Sequence, residues 1–152
     1  MIEIHAQYIA QDLHLPKAFD DEFSDLLVEQ KRDSRRPFVR KVDLWWATVC
    51  IGAALNQRLP VPKDQKKRVK FNTGQVLASE SWRIAHMELL ALASDGERVL
   101  EKPARVVEIA DEYGMAGAQW MTKKLRGNAQ PALTLLFELG NLAEEAHQFD
   151  LD

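Results

Sequence analysis

DLWWATVCIGAALNQ, residues 43–57, is the most apolar stretch of the chain, and its reading decides the fold. Leu44, Trp45, Thr48, Ile51, Gly52 and Leu55 share one face at helical spacing, and Ala47, Ala53 and Ala54 add helix propensity. Asp43 suits the N-cap. A helix so poor in polar side chains belongs at the centre of a core. Trp45 and Trp46 lie about 100° apart on it and cannot both point the same way. Either one enters the core and the other lies at the surface beside Arg40 and Lys41, or both are buried under neighbouring elements.

Working outward, Pro16 precedes a helical run from Lys17 to Gln30, with Phe19, Phe23, Leu26 and Leu27 as its stripe. Asp20, Asp21 and Glu22 suit its start and Lys31 and Arg32 its end. KRDSRRPFVRK reads as a loop, because Pro37 biases Arg36 away from helix. After the central helix, RLPVPKDQKKRVKFNTG is a long connection with a short extended piece at Val69–Phe71. Ser79 or Ser81 can cap a helix reaching Ala93, with Trp82, Ala85, Leu89, Leu92 and Ala93 expected on its inner side. Pro103 suits the first turn of a helix running to Arg126 through Val106, Ile109, Ala110, Tyr113, Trp120 and Leu125. Gly114 and Gly117 each weaken it by about 1 kcal/mol relative to Ala, so a break is expected there. Pro131 opens a last helix, with Leu135, Leu136, Leu139, Leu142, Ala143 and Ala146 expected inward. At the N-terminus, Ile2, Ile4, Ala6 and Tyr8 alternate as in a short strand, although the same letters could begin a helix.

The expected fold is therefore mainly α. It is one compact helical domain spanning 1–152, of about five to six helices, with a short N-terminal strand as an option and residues 1–15 open between the two readings. At 152 residues the chain is long enough for a real core, and 46% apolar content disfavours disorder. The lone Cys50 excludes an internal disulfide and a Cys-rich zinc site, and reads as a small hydrophobe in a reducing compartment. MIEIHAQYIA lacks the layout of a signal peptide, and no run of about 20 apolar residues occurs. A cytoplasmic protein with no membrane association is expected.

The net charge of −3 conceals a polarity along the chain. Residues 31–70 carry twelve bases against Asp33, Asp43 and Asp64, or +9, while the remainder carries eight bases against twenty acids, or −12. One reading is an electropositive patch for phosphates or an acidic protein surface; the other is two solvated connections flanking a helix. The candidate contact residues are Arg35, Arg36, Arg40, Lys41, Lys66, Lys67 and Arg68, with Trp46 as the exposed aromatic that would stack on a base or anchor a partner.

Catalytic signatures are missing. No H-E-x-x-H, Walker A or G-x-G-x-x-G occurs, and His86-x-Glu88 projects its two side chains about 200° apart on a helix. Cys50 sits among apolar neighbours, where a thiolate is disfavoured. The pairs Asp111/Glu112 and Glu144/Glu145 read as solvated helix surface. Gly114-Met115-Ala116-Gly117 matches the G-x-x-G of KH loops in form but offers no basic residue, and close helix packing or a kink explains it better. No catalytic residue, metal site or cofactor is expected.

Three segments together carry a resemblance: PFVRKVDLWWATVCIGAALNQR, MELLALASDGERVL and ARVVEIADEYGMAGAQWM, within residues 37–125. Their order and spacing resemble the small accessory proteins of Dnd-type DNA phosphorothioation systems, with departures at Ala110, where that pattern has an aromatic, and at Met115, where it has a small residue. The resemblance implies a bacterial genome-defence setting beside DNA-modification and restriction components, and no catalytic residue. The expected function is a non-catalytic accessory or adaptor subunit that binds a defence-system protein. The alternative is a DNA- or RNA-binding module using the basic 31–70 segment.

Overall fold

A computed structural model describes residues 6–23, 26 and 37–149, the last four of them without their side chains. The elements run α1 (Ala6–Ile9), β1 (Asp12–Pro16), α2 (Lys17–Phe23), α3 (Lys41–Ala54), β2 (Arg68–Thr73), α4 (Ser81–Asp95), α5 (Pro103–Leu125) and α6 (Pro131–Phe149). Short 3₁₀ turns at Gly74–Leu77 and Glu97–Glu101 lead into α4 and α5. The architecture is mainly helical with one two-stranded antiparallel sheet.

The apolar stretch around Trp45 is the centre of the core. α3 buries Val42, Leu44, Trp45, Trp46, Thr48, Val49, Ile51 and Gly52, well over half of its circumference, and leaves Cys50 and Ala54 exposed on the rest. Its main neighbour is α5, and the two backbones come unusually close. A Cβ on Gly117 would stand 1.8 Å from the Thr48 carbonyl oxygen, and one on Gly52 would stand 2.0 Å from that of Tyr113. These glycines are what permits the crossing. The break expected at Gly114 and Gly117 does not occur, and α5 is continuous over 23 residues. The propensity cost of about 1 kcal/mol per glycine is local. It is outweighed by burying Val106, Ile109, Ala110, Tyr113, Ala118 and Met121 against neighbouring elements.

Asp43 is not the N-cap of α3. That position is Arg40, and Asp43, three residues on, accepts the Arg40 backbone N–H at 3.0 Å. Ser79 and Ser81 do not cap α4 either, since its N-cap is Glu80. Gly96 and Gly127 stop α4 and α5 with φ of +83° and +74°.

The strand suggested by residues 2–8 is displaced. Residues 6–9 form one helical turn, residues 1–5 lie outside the description, and the strand is Asp12–Pro16, where Leu13 and Leu15 alternate inward. It pairs with Arg68–Thr73, the extended piece anticipated at 69–71. Of the run expected from Lys17 to Gln30, α2 supplies the first seven residues, with Phe19 and Phe23 buried 5.0 Å apart; 24, 25 and 27–30 lie outside the description.

α4 turns a different face inward from the one its stripe suggested, and α6 buries a narrower part of the expected face. α4 buries Arg83, Ile84, Met87 and Ala91, leaving Trp82, Ala85, Leu89, Leu92 and Ala93 exposed. α6 buries Leu135 and Leu142 and half-buries Leu139, whereas Leu136 and Ala143 are exposed; the Ala146 side chain lies outside the description. Both helices carry more than one apolar stripe, so periodicity alone does not choose between them.

Candidate functional site

The basic segment divides into two parts with different electrostatics. Arg35 and Arg36 lie outside the described residues. Arg40 is committed to the fold, with its guanidinium bonded to both Asp43 oxygens and to Glu80. Those bonds, the one to Glu80 foremost, stabilise its charged form further. Lys41 pairs with Asp20 at 2.7 Å, and Arg58 approaches Asp95 and Glu112. By contrast Lys63, Lys66 and Lys67 are exposed and Arg68 is half-buried, and among the described residues none of the four has an acidic partner. Asp64 spends one carboxylate oxygen on the Lys66 backbone N–H, 2.9 Å away. Free positive charge therefore collects on the loop leading into β2.

Trp46 is not an exposed anchor. It is 8% exposed and lies beneath Trp82, whose ring meets it edge-on at 5.9 Å, with His86 beside both. The exposed tryptophan is Trp82, at 51%. Beneath these rings Arg83 is buried, 2.9 Å from Asp43 and from Glu80, with its guanidinium 4.9 Å from the Trp82 ring centre. Its Nε meets no hydrogen-bond acceptor, and the ring faces supply the attraction instead. Burial raises the Asp43 carboxyl, but the bonds from Arg40 and Arg83 outweigh it and hold the group below the usual carboxylate range.

A polar site outside the candidate contact residues lies where α5 covers the free edge of β1. Asp111, read from sequence as solvated surface, is 2% exposed. Its Oδ1 accepts the His14 backbone N–H at 3.1 Å and the Trp45 indole N–H at 3.0 Å, while Oδ2 stands 3.0 Å from His14 Nδ1. The edge strand's orphan N–H is thereby satisfied. Burial pushes the Asp111 carboxyl above its ordinary range, against the pull of the His14 and Trp45 bonds. The register sets His14 opposite Lys70 and Pro16 opposite Arg68, so His14 and Arg68 share the outer face of the two-stranded sheet. A cavity of about 340 Å³ opens there, lined by Gln11, His14, Lys63, Arg68, Glu108 and Asp111 among others.

An apolar cleft of about 410 Å³ between Phe19, Leu59, Pro60 and Met115 lies apart from this cluster and has few groups to orient a ligand. Cys50 is exposed on α3 next to an apolar groove, whose partial desolvation of the thiol raises its proton affinity and disfavours the thiolate. Glu88 of the His86-x-Glu88 pair accepts the Tyr8 hydroxyl at 2.7 Å, and a His86 ring nitrogen lies 2.6 Å from the Trp82 carbonyl oxygen. No group of three or more His, Cys, Asp or Glu side chains among the described residues could hold a metal ion, and no described helix is long and apolar enough to cross a membrane.

No family model, curated protein or solved structure matches this chain.

The sequence did contain one sign of the buried dyad. Asp111 falls on the α5 face shared by Val107, Gly114 and Ala118, an apolar setting in which an isolated carboxylate needs partners. Nothing local identified His14 as the partner, 97 residues away.

Proposed function

We propose that this chain is a non-catalytic accessory subunit that binds a protein partner through the outward face of α4. The observation that carries this is the exposed apolar stripe of that helix. Trp82, Ala85, Leu89, Leu92 and Ala93 fall within an arc of about 120°, and Trp82 and Leu89 are 51% and 60% exposed. A helix apolar on both faces is suited to cover on both faces, and contiguous exposed apolar surface marks interaction sites on soluble domains. Trp82 is held by Arg83 and Trp46 from below, so binding would immobilise little that is not already fixed. The matching partner is an amphipathic helix laid along the roughly 22 Å of α4. The genome-defence setting rests on the resemblance within residues 37–125 to accessory proteins of Dnd-type systems.

Co-expression with the products of neighbouring genes tests the reading. A stable complex is expected that Leu89→Glu weakens at least tenfold and that Lys66→Glu/Lys67→Glu leaves intact. A complex indifferent to Leu89→Glu and Trp82→Ala would refute it, as would turnover by the pure protein that a point substitution abolishes.

The uncompensated charge of Lys63, Lys66, Lys67 and Arg68 supports a second reading, in which the chain binds DNA or RNA through this loop. Affinity would then fall steeply with salt, and Lys66→Glu/Lys67→Glu would flatten that dependence. Unchanged gel-shift titrations would exclude it.

A further inference from the structure

We propose that the cavity beside the His14–Asp111 pair is a binding site for a phosphate group, held by Arg68, Lys63 and His14 Nε2. The inference does not depend on the α4 face. It shares Arg68 and Lys63 with the nucleic-acid reading but assigns them a defined pocket.

The charges lining the cavity decide the sign of its ligand. Three carboxylates face it, and each is already engaged. Asp12 pairs with Lys70 at 2.8 Å, Glu108 lies 3.3 Å from Arg105, which also serves Asp95 and Glu112, and Asp111 accepts the His14 backbone and Trp45 indole N–H groups with His14 Nδ1 at 3.0 Å. Lys63 and Arg68 line the same cavity with no acidic partner among the described residues. The two groups on this lining left open to a charged ligand are therefore both bases. Arg68 presents the planar fork of donors that suits phosphate oxygens, and Lys63 adds a point charge.

His14 supplies the oriented member. Its Nδ1 is tied to a carboxylate that the core holds in place through Trp45, so the ring is fixed and Nε2 is the nitrogen left to the cavity that the ring lines. Nε2 donates to an anion when it carries a hydrogen, as in the imidazolium or in the tautomer whose Nδ1 accepts from Asp111, and a bound phosphate favours those forms. Asp111 thus orients an imidazole that is only partly exposed, besides accepting the edge N–H and the Trp45 indole. The volume of about 340 Å³ accommodates a phosphate monoester but not a duplex groove. The phosphate would thus belong to a small monoester or to the end of a nucleic-acid strand.

Titration of the full chain with inorganic phosphate, followed through the His14 ring resonances by NMR, tests the site. Saturable shifts are expected, with affinity lowered at least tenfold by Arg68→Gln and several-fold by Lys63→Gln. Neither substitution touches the buried carboxylate, so both remain informative if His14→Gln fails to fold. Phosphoserine and a pair of short oligonucleotides, with and without a 5′-phosphate, separate the two sources. Tenfold preference for the phosphorylated strand assigns the site to strand ends, whereas binding of phosphoserine without that preference assigns it to free monoesters. The proposal is overturned if phosphate leaves the His14 ring unshifted, or if Lys66→Glu/Lys67→Glu removes binding while Arg68→Gln does not. Leu89→Glu should not affect phosphate binding, so failure here and failure of the α4 reading are distinguishable.

Discussion

Replacing Gly117 by alanine probes the contact on which the fold turns. The new Cβ would stand 1.8 Å from the Thr48 carbonyl oxygen, 2.6 Å from its carbon and 2.9 Å from its Cα, where ordinary contact begins at 3.4 Å. All three atoms are backbone, so no rotamer change relieves the overlap. The helices must part, and Gly52 against Tyr113 holds the same crossing at a second point. Overpacking costs about 1–3 kcal/mol and occasionally more, and this rigid clash belongs at the upper end. Alanine returns about 1 kcal/mol in helix propensity. The expected net loss is about 2 kcal/mol or more, lowering Tm by about 2–4 °C per kcal/mol. Gly140→Ala is the internal control, because nothing lies within 4 Å of a Cβ there and α6 is helical throughout. It should stabilise by about 0.5–1 kcal/mol. Urea unfolding followed by circular dichroism measures both. If Gly117→Ala proves as stable as the parent protein, the close α3–α5 crossing is wrong.

Asp43→Asn should reveal a pH-dependent contribution. Its carboxyl is held below the usual range by Arg40 and Arg83. Its stabilisation is therefore present above about pH 4 and is lost as pH falls through the depressed folded value. The stability gap between parent and variant should shrink between neutral pH and about pH 2 in urea titrations, and a constant gap would refute the assignment. On α4, Met87→Ala should cost about 2–5 kcal/mol, as for a fully buried side chain. Leu89→Ala, two residues away on the exposed face, should stay within about 0.5 kcal/mol, and equal effects would mean that the inward face has been misplaced.

Of the candidate contact residues, the loop bases Lys66, Lys67 and Arg68 keep their charge available. Arg40, Lys41 and Trp46 are absorbed into the fold by Asp43, Glu80, Asp20 and Trp82. Charge counted along a chain cannot anticipate this, since whether a base is free depends on which acids folding brings to it. Glu80 lies 40 residues from Arg40, and Asp20 lies 21 from Lys41.

By itself the sequence determined that this is a mainly helical protein, that residues 43–57 lie at its centre, and where most helices begin and end. Those properties follow from apolar spacing at 3.6 residues per turn and from local signals such as Pro103 and Pro131. Tertiary structure alone decided which stripe of α4 faces water, that Gly114 and Gly117 join helices instead of breaking one, and that His14 meets Asp111. Each is settled by a neighbour far along the chain. A second apolar face, a missing Cβ or a solitary carboxylate takes its meaning from the surface packed against it.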